Sequence, residues 1–110
     1  MLTTEQIDDV TVLSVTEPRL DAAMAPKFRA AALAAAPAGG RVVLDASRLE
    51  FVDSTGLGAL VTLLKTVGPS GTMVLAGAGA QLQKLLTVTK LDRVFVQTPD
   101  VEEGLRRARE

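Results

Sequence analysis

The sequence predicts one α/β domain: a mixed, mostly parallel β-sheet that opens with an N-terminal hairpin and carries about four helices. Three observations predict it. Short β-rich apolar runs alternate with helix-forming segments, in the order β-β-α-β-α-β-α-β-α. The central runs, Val42-Val43-Leu44 and Met73-Val74-Leu75, are unbroken apolar stretches, the pattern of strands covered on both faces. The first two runs are separated by little more than Asp8-Asp9, a turn, whereas each later pair is separated by a helix, the spacing of parallel crossovers. The 110 residues are the size of a single domain, 1–110.

The elements follow in order. Residues 2–6 and 10–15 read as the two hairpin strands, the second carrying Val10, Val12, Leu13 and Val15. Glu17-Pro-Arg-Leu-Asp21 reads as a loop, because Pro18 disfavours both helix and central strand. The alanine-rich stretch 22–36 is strongly helix-prone, and Pro26 sets the helix start near Ala25, since proline is tolerated only in the first turn. Phe28, Ala31, Ala32 and Ala35 take the buried spacing, with Met24 just upstream, and Lys27 and Arg29 face water. Pro37-Ala-Gly-Gly40 stops that helix. Arg41 to Asp45 is a strand, and Leu49 and Phe51 anchor the loop that follows. A helix runs from Thr55 to Val67, with Leu57, Leu60, Val61 and Leu64 forming a buried stripe and Gly58, Thr62 and Lys65 on another, small and mildly polar face. Gly68-Pro69-Ser70-Gly71 ends it. Thr72 to Ala76 is a strand, residues 80–89 a helix, Leu91-Asp92 a turn and Arg93 to Gln97 a strand. Pro99-Asp100 opens a last helix, whose acidic start and basic end suit the helix dipole. Glu102/Arg106 and Glu103/Arg107 are spaced as i,i+4 pairs.

Composition narrows the function. A formal net charge of −1 lacks the basic excess of a nucleic-acid binder. No apolar run is long enough to span a bilayer, and the start, Met-Leu-Thr-Thr-Glu-Gln, has neither the basic end nor the apolar centre of a signal peptide; the cytoplasm is the expected location. The chain has no cysteine and no histidine. That excludes thiolate chemistry, cysteine-based zinc or iron–sulfur sites and the Ser-His-Asp arrangement. An enzyme is therefore not expected, nor is a cofactor or a resident metal.

The stretch that concentrates polar chemistry is Asp53-Ser54-Thr55-Gly56. It puts a carboxylate, two hydroxyls and a glycine at a helix N-terminus, where amides are unpaired and the dipole is positive. Read locally, Ser54 or Thr55 is an N-cap, although Leu57 is not the Glu or Gln of a capping box. Asp45 and Asp53 are either paired carboxylates for magnesium or local acceptors for loop amides. Gly77-Ala-Gly79 follows a strand and opens a helix, as a dinucleotide-binding turn does, but the third glycine of that fingerprint is missing; a tight strand-to-helix turn also explains it.

Phe51-Val-Asp53-Ser54-Thr55-Gly56-Leu57-Gly58, preceded by Val42-Val-Leu-Asp45, resembles the signature of the STAS domain, and in particular that of bacterial anti-sigma factor antagonists. Leu20-Asp21 stands where such proteins carry a loop aspartate before the first helix, within Glu17-Pro-Arg-Leu-Asp21 rather than a Gly-Glu-Leu-Asp turn. Gln83-Lys-Leu-Leu86 and Leu91-Asp-Arg-Val-Phe95 resemble the family's third helix and following strand. The resemblance implies a partner-switching role. An anti-sigma factor with serine-kinase activity binds the domain and phosphorylates the serine after the aspartate, here Ser54; phosphorylation blocks binding and a phosphoserine phosphatase restores it. The implied partner-binding residues are Asp21, Asp53, Ser54, Thr55, Gly56, Gly58 and Thr62. Neither nucleic acid nor membrane is an expected direct partner. STAS domains also serve as constitutive interaction subunits of stress-sensing and lipid-transport assemblies, which is the second reading; a nucleotide-binding module is the third.

Overall fold

The computed structural model describes residues 1–110. In chain order its elements are β1 (Leu2–Ile7), β2 (Val10–Val15), β3 (Arg19–Leu20), α1 (Ala25–Ala35), β4 (Arg41–Asp45), β5 (Phe51–Val52), α2 (Ser54–Val67), β6 (Thr72–Ala76), α3 (Ala80–Val88), β7 (Val96–Thr98) and α4 (Val101–Arg109). β1 and β2 form the expected antiparallel hairpin, closed at Ile7 and Val10. Asp8 takes φ 55°, the left-handed conformation that two-residue hairpin loops demand. β2, β4, β6 and β7 then run parallel, and the sheet order is β1-β2-β4-β6-β7.

Side-chain alternation divides the sheet into two unequal faces. Leu13, Val15, Val42, Leu44, Met73 and Leu75 belong to the larger core, shared with Phe28 and Ala32 of α1, Leu57, Leu60, Leu63 and Val67 of α2, and Leu82 and Leu86 of α3. Val10, Val12, Val43, Val74 and Ala76 point the other way, onto α4, where Ala108 completes a smaller core. Gly104 lets α4 lie close, since a Cβ there would stand 3.0 Å from Val43. The unbroken apolar runs of β4 and β6 thus serve two cores, as strands covered on both sides require.

The structure departs from the sequence expectations at several places. The loop before α1 contains β3, which pairs in parallel with β5 as a separate two-stranded sheet. Pro18 does not prevent this, because its carbonyl still accepts, here from the amides of Glu50 (2.7 Å) and Phe51 (3.1 Å). The strand expected over Arg93–Gln97 lies later, at Val96–Thr98. Lys90 ends α3 in the left-handed conformation, Leu91–Arg93 form a 3-10 turn, and the Val94 and Phe95 amides bond back to the Leu91 carbonyl; Phe95 is buried from the turn rather than from the sheet. On α2 the buried set is Gly56, Leu57, Ala59, Leu60, Leu63 and Val67; Val61 and Leu64, expected in the stripe, are only half-buried at its margin. On α4, Arg106 reaches both Glu102 (3.8 Å) and Glu103, whereas Arg107 pairs with Glu110 (3.4 Å) instead of Glu103.

Candidate functional site

The site is built where the small β3/β5 sheet delivers the chain into α2. Leu20 pairs with Val52, and the Asp53 amide donates to the Leu20 carbonyl at 3.3 Å. Gly56 faces that same carbonyl: a Cβ built there would sit 2.0 Å from the Leu20 oxygen. Only glycine lets the first turn of α2 rest directly on the β3 backbone. Gly56 is buried by this contact, so its function is to set the height of the helix N-terminus.

Helix α2 begins at Ser54, one residue before the expected Thr55, and its N-cap is Asp53. Asp53 Oδ1 accepts from the Gly56 amide (2.8 Å), and Oδ2 accepts from the Ala22 amide (3.2 Å). The local reading of Ser54 or Thr55 as the cap is thereby corrected: a carboxylate already occupies that position, and it also ties α2 to the start of α1. Ser54 and Thr55 are both exposed, and their hydroxyls and amides make no hydrogen bond within the chain. Asp53 and Asp45 both accept from backbone amides: Asp53 from Gly56 and the distant Ala22, and Asp45 from its near neighbour Ser47 (3.0 Å), as a turn acceptor does.

Asp21 lies beside this junction. Its Oδ1 accepts from the amides of Ala23 (3.1 Å) and Met24 (3.2 Å). Three successive amides, Ala22 to Met24, are thus held by two carboxylates 32 positions apart in sequence, Asp53 and Asp21. Partial desolvation pushes the Asp21 pKa up, but the Met24 amide, the Arg19 guanidinium and the Ala23 amide together outweigh it and hold the carboxyl below its ordinary value. Arg19 sits 3.4 Å from Asp21 Oδ2 and 4.6 Å from the centre of the Phe51 ring, a charge held by both a carboxylate and an aromatic face.

Beyond the cap, Ser54, Gly58 and Thr62 recur every fourth residue and share one side of α2. Gly58 is exposed, and a Cβ placed on it would meet nothing within 4 Å. The half-buried Thr62 returns its hydroxyl to the Gly58 carbonyl at 3.0 Å. The structure therefore brings Asp21, Asp53, Ser54 and Thr55 together at one end of α2, with Gly58 and Thr62 continuing along its free face, and sets Gly56 beneath them.

Gln81 belongs to the site although its sequence position gives no sign of it. From α3 its side-chain amide accepts from the Val52 amide (2.9 Å) and donates to the Val52 carbonyl (2.9 Å). It acts as a one-residue strand on the edge of β5 and fixes the backbone immediately before Asp53. The nearby Gly77-Ala-Gly79 turn opens a cleft of about 470 Å³ lined by Gly77, Ala78, Gln83, Gln97, Thr98 and Pro99. Gly77 has φ 74° and packs on Ser47, and its amide bonds the Thr98 carbonyl at 3.0 Å. No lining side chain carries a positive charge for a phosphate, so the turn is accounted for by chain reversal.

Comparison with known proteins places the fold. An anti-sigma factor antagonist from Mycobacterium paratuberculosis superposes with TM-score 0.88 at 26% identity, over 100% of this chain and 94% of that one. An anti-sigma factor antagonist (STAS) domain protein from Planctomyces limnophilus gives 0.91 at 23% identity, covering 99% and 98%. The Bacillus cell fate determinant SpoIIAA in its phosphorylated form gives 0.68 at 18% identity, covering 97% and 98%. The family model of the STAS domain matches residues 1–104, and the chain belongs to the STAS domain family.

Proposed function

We propose that this STAS domain is an anti-sigma factor antagonist that works by partner switching, with Ser54 as the phosphoacceptor. The observation that carries the proposal is the division of labour at the α2 N-terminus. Asp53 caps the helix, leaving Ser54 exposed and without an internal partner. A serine that the fold does not use is free to be read, and modified, by another protein.

The same geometry supports a binding surface around Ser54. Asp21, Asp53, Ser54 and Thr55 form its head, and Gly58 and Thr62 extend it along α2, where the bare Gly58 backbone allows close approach. An anti-sigma factor with serine-kinase activity docks here. Phosphorylation of Ser54 adds about −1.5 to −2 charge. Within the domain the change is tolerated, because the Ser54 and Thr55 amides and the helix dipole favour an anion, which offsets repulsion from the Asp53 carboxylate. Across an interface there is no such compensation. A phosphate facing one partner carboxylate at roughly 7 Å, with an effective dielectric near 20, costs on the order of 2–5 kcal/mol. Since about 1.4 kcal/mol is tenfold in affinity, release follows, and a phosphoserine phosphatase resets the cycle.

The test is incubation with ATP and the cognate kinase, followed by localisation of phosphate by mass spectrometry. The proposal expects a single phosphate on Ser54 and loss of the complex. Stable binding without any phosphate on Ser54 would make the domain a constitutive interaction subunit instead.

A further inference from the structure

The two edges of the sheet are finished differently. The β7 edge is three residues long, preceded by the 3-10 turn and followed by Pro99, and such short, proline-flanked edges resist pairing. The β1 edge has none of these protections. It runs for six residues, Leu2-Thr-Thr-Glu-Gln-Ile7, paired with β2 throughout, and has no proline, lysine or bulge.

The hairpin register shows which backbone groups this edge presents. The Thr16 amide donates to the Met1 carbonyl at 2.9 Å, so Met1 and Thr16 form a hydrogen-bonded pair. Alternation along an antiparallel ladder then makes Thr3/Ser14, Glu5/Val12 and Ile7/Val10 the inward-bonded pairs. The amides and carbonyls of Leu2, Thr4 and Gln6 consequently point outward, with no backbone partner. Thr3, Thr4, Glu5 and Gln6 are exposed, so nothing in the fold covers them.

We propose that the β1 edge pairs antiparallel with β1 of a second copy of this chain, about a two-fold axis through Thr4. That register places Thr4 opposite Thr4, Leu2 opposite Gln6 and Gln6 opposite Leu2, so every outward-facing group on the edge finds a partner. It sets Glu5 opposite Thr3, with no like charges facing each other. Moving the axis to Glu5 leaves Leu2 unpaired and places the two Glu5 carboxylates directly opposite, which is destabilising. Moving it to Thr3 leaves Gln6 unpaired. An axis between residues would turn the α1 side of one sheet towards the α4 side of the other. The dimer leaves the Ser54 face open, because α1 packs against β1 on one side and α2 on the other.

The register gives the test its specificity. Sedimentation equilibrium across a concentration series is expected to show the native chain passing from 11.5 kDa to twice that mass. Thr4→Lys sets two ammonium groups opposite each other on the axis and is expected to abolish the dimer. Thr3→Lys, one residue away, places each new lysine opposite a Glu5 and is expected to retain or tighten it. Thr4→Pro removes an outward-facing amide without breaking a hydrogen bond of the hairpin and is also expected to yield a monomer, with the circular-dichroism spectrum checking that the fold is kept. A native chain that stays monomeric at all concentrations overturns the proposal, as does a dimer that Thr4→Lys leaves intact or that Thr3→Lys disrupts.

Discussion

Replacing Gly58 with alanine separates what the fold needs from what a partner needs. Gly58 is the fifth residue of the fourteen-residue helix α2, and an added Cβ meets nothing within 4 Å. No clash opposes the change, and alanine is favoured over glycine in a helix interior by about 0.8–1 kcal/mol. The variant is therefore expected to be more stable by about 0.5–1 kcal/mol, a rise in melting temperature of roughly 4–8 °C per kcal/mol for a domain of this size. Binding to the cognate anti-sigma factor is expected to weaken at least tenfold, because the new methyl stands on the face proposed above for the partner. Gly56→Ala is the opposing control. Its Cβ would stand 2.0 Å from the Leu20 carbonyl oxygen, so α2 must move off β3, at a cost of about 2–4 kcal/mol. Thermal unfolding and isothermal titration calorimetry on the two variants decide the matter. A less stable Gly58→Ala protein would refute the structural reasoning; a stabilised one that binds as well as the native chain would refute the assignment of this face to the partner.

Further outcomes follow from the same junction. Asp53→Ala removes the α2 cap and the tie to Ala22, and denaturant unfolding is expected to show a loss of about 1–2 kcal/mol, with Asn restoring much of it. Gln81→Leu strands the amide and carbonyl of Val52, with an expected loss of about 1–3 kcal/mol and a rise in hydrogen exchange at Val52 that distant sites do not share. The Asp21 carboxyl is held below its ordinary value, so its contribution is complete above its unfolded pKa and is lost as pH falls through the depressed folded value. Asp21→Asn is therefore expected to lower the melting temperature at neutral pH and to flatten its fall below about pH 4, so that the gap from the native chain closes in acid; an unchanged acid profile would contradict that role.

The parts of this molecule legible in the sequence are those fixed by short-range patterns. The hairpin, the apolar strands and the proline-started α1 follow from alternation, unbroken apolar runs and the place of Pro26. What escaped depends on contacts distant along the chain. The two-residue strands β3 and β5 have no period of their own and exist because Pro18, Leu20, Glu50 and Phe51 are brought together. The Gln81 clip joins residues 29 positions apart. Ser54 was legible as a special position through its motif, but its freedom from the capping role was not. Asp, Ser and Thr are all good caps, and only the geometry shows that Asp53 takes the position and Gly56 sets its height. The buried stripe of α2 is centred on Gly56, Leu60, Leu63 and Val67 rather than towards Val61 and Leu64, because Gly56 seats the helix on the β3 backbone and turns that side inward.

The central claim is that the charge on Ser54 governs partner binding without governing folding. Ser54→Asp tests it in one preparation, with calorimetric titration against the cognate anti-sigma factor and thermal unfolding run side by side. Binding is expected to weaken by well over tenfold, with a melting temperature close to that of the native domain. Undiminished binding, or a large fall in melting temperature, would contradict it.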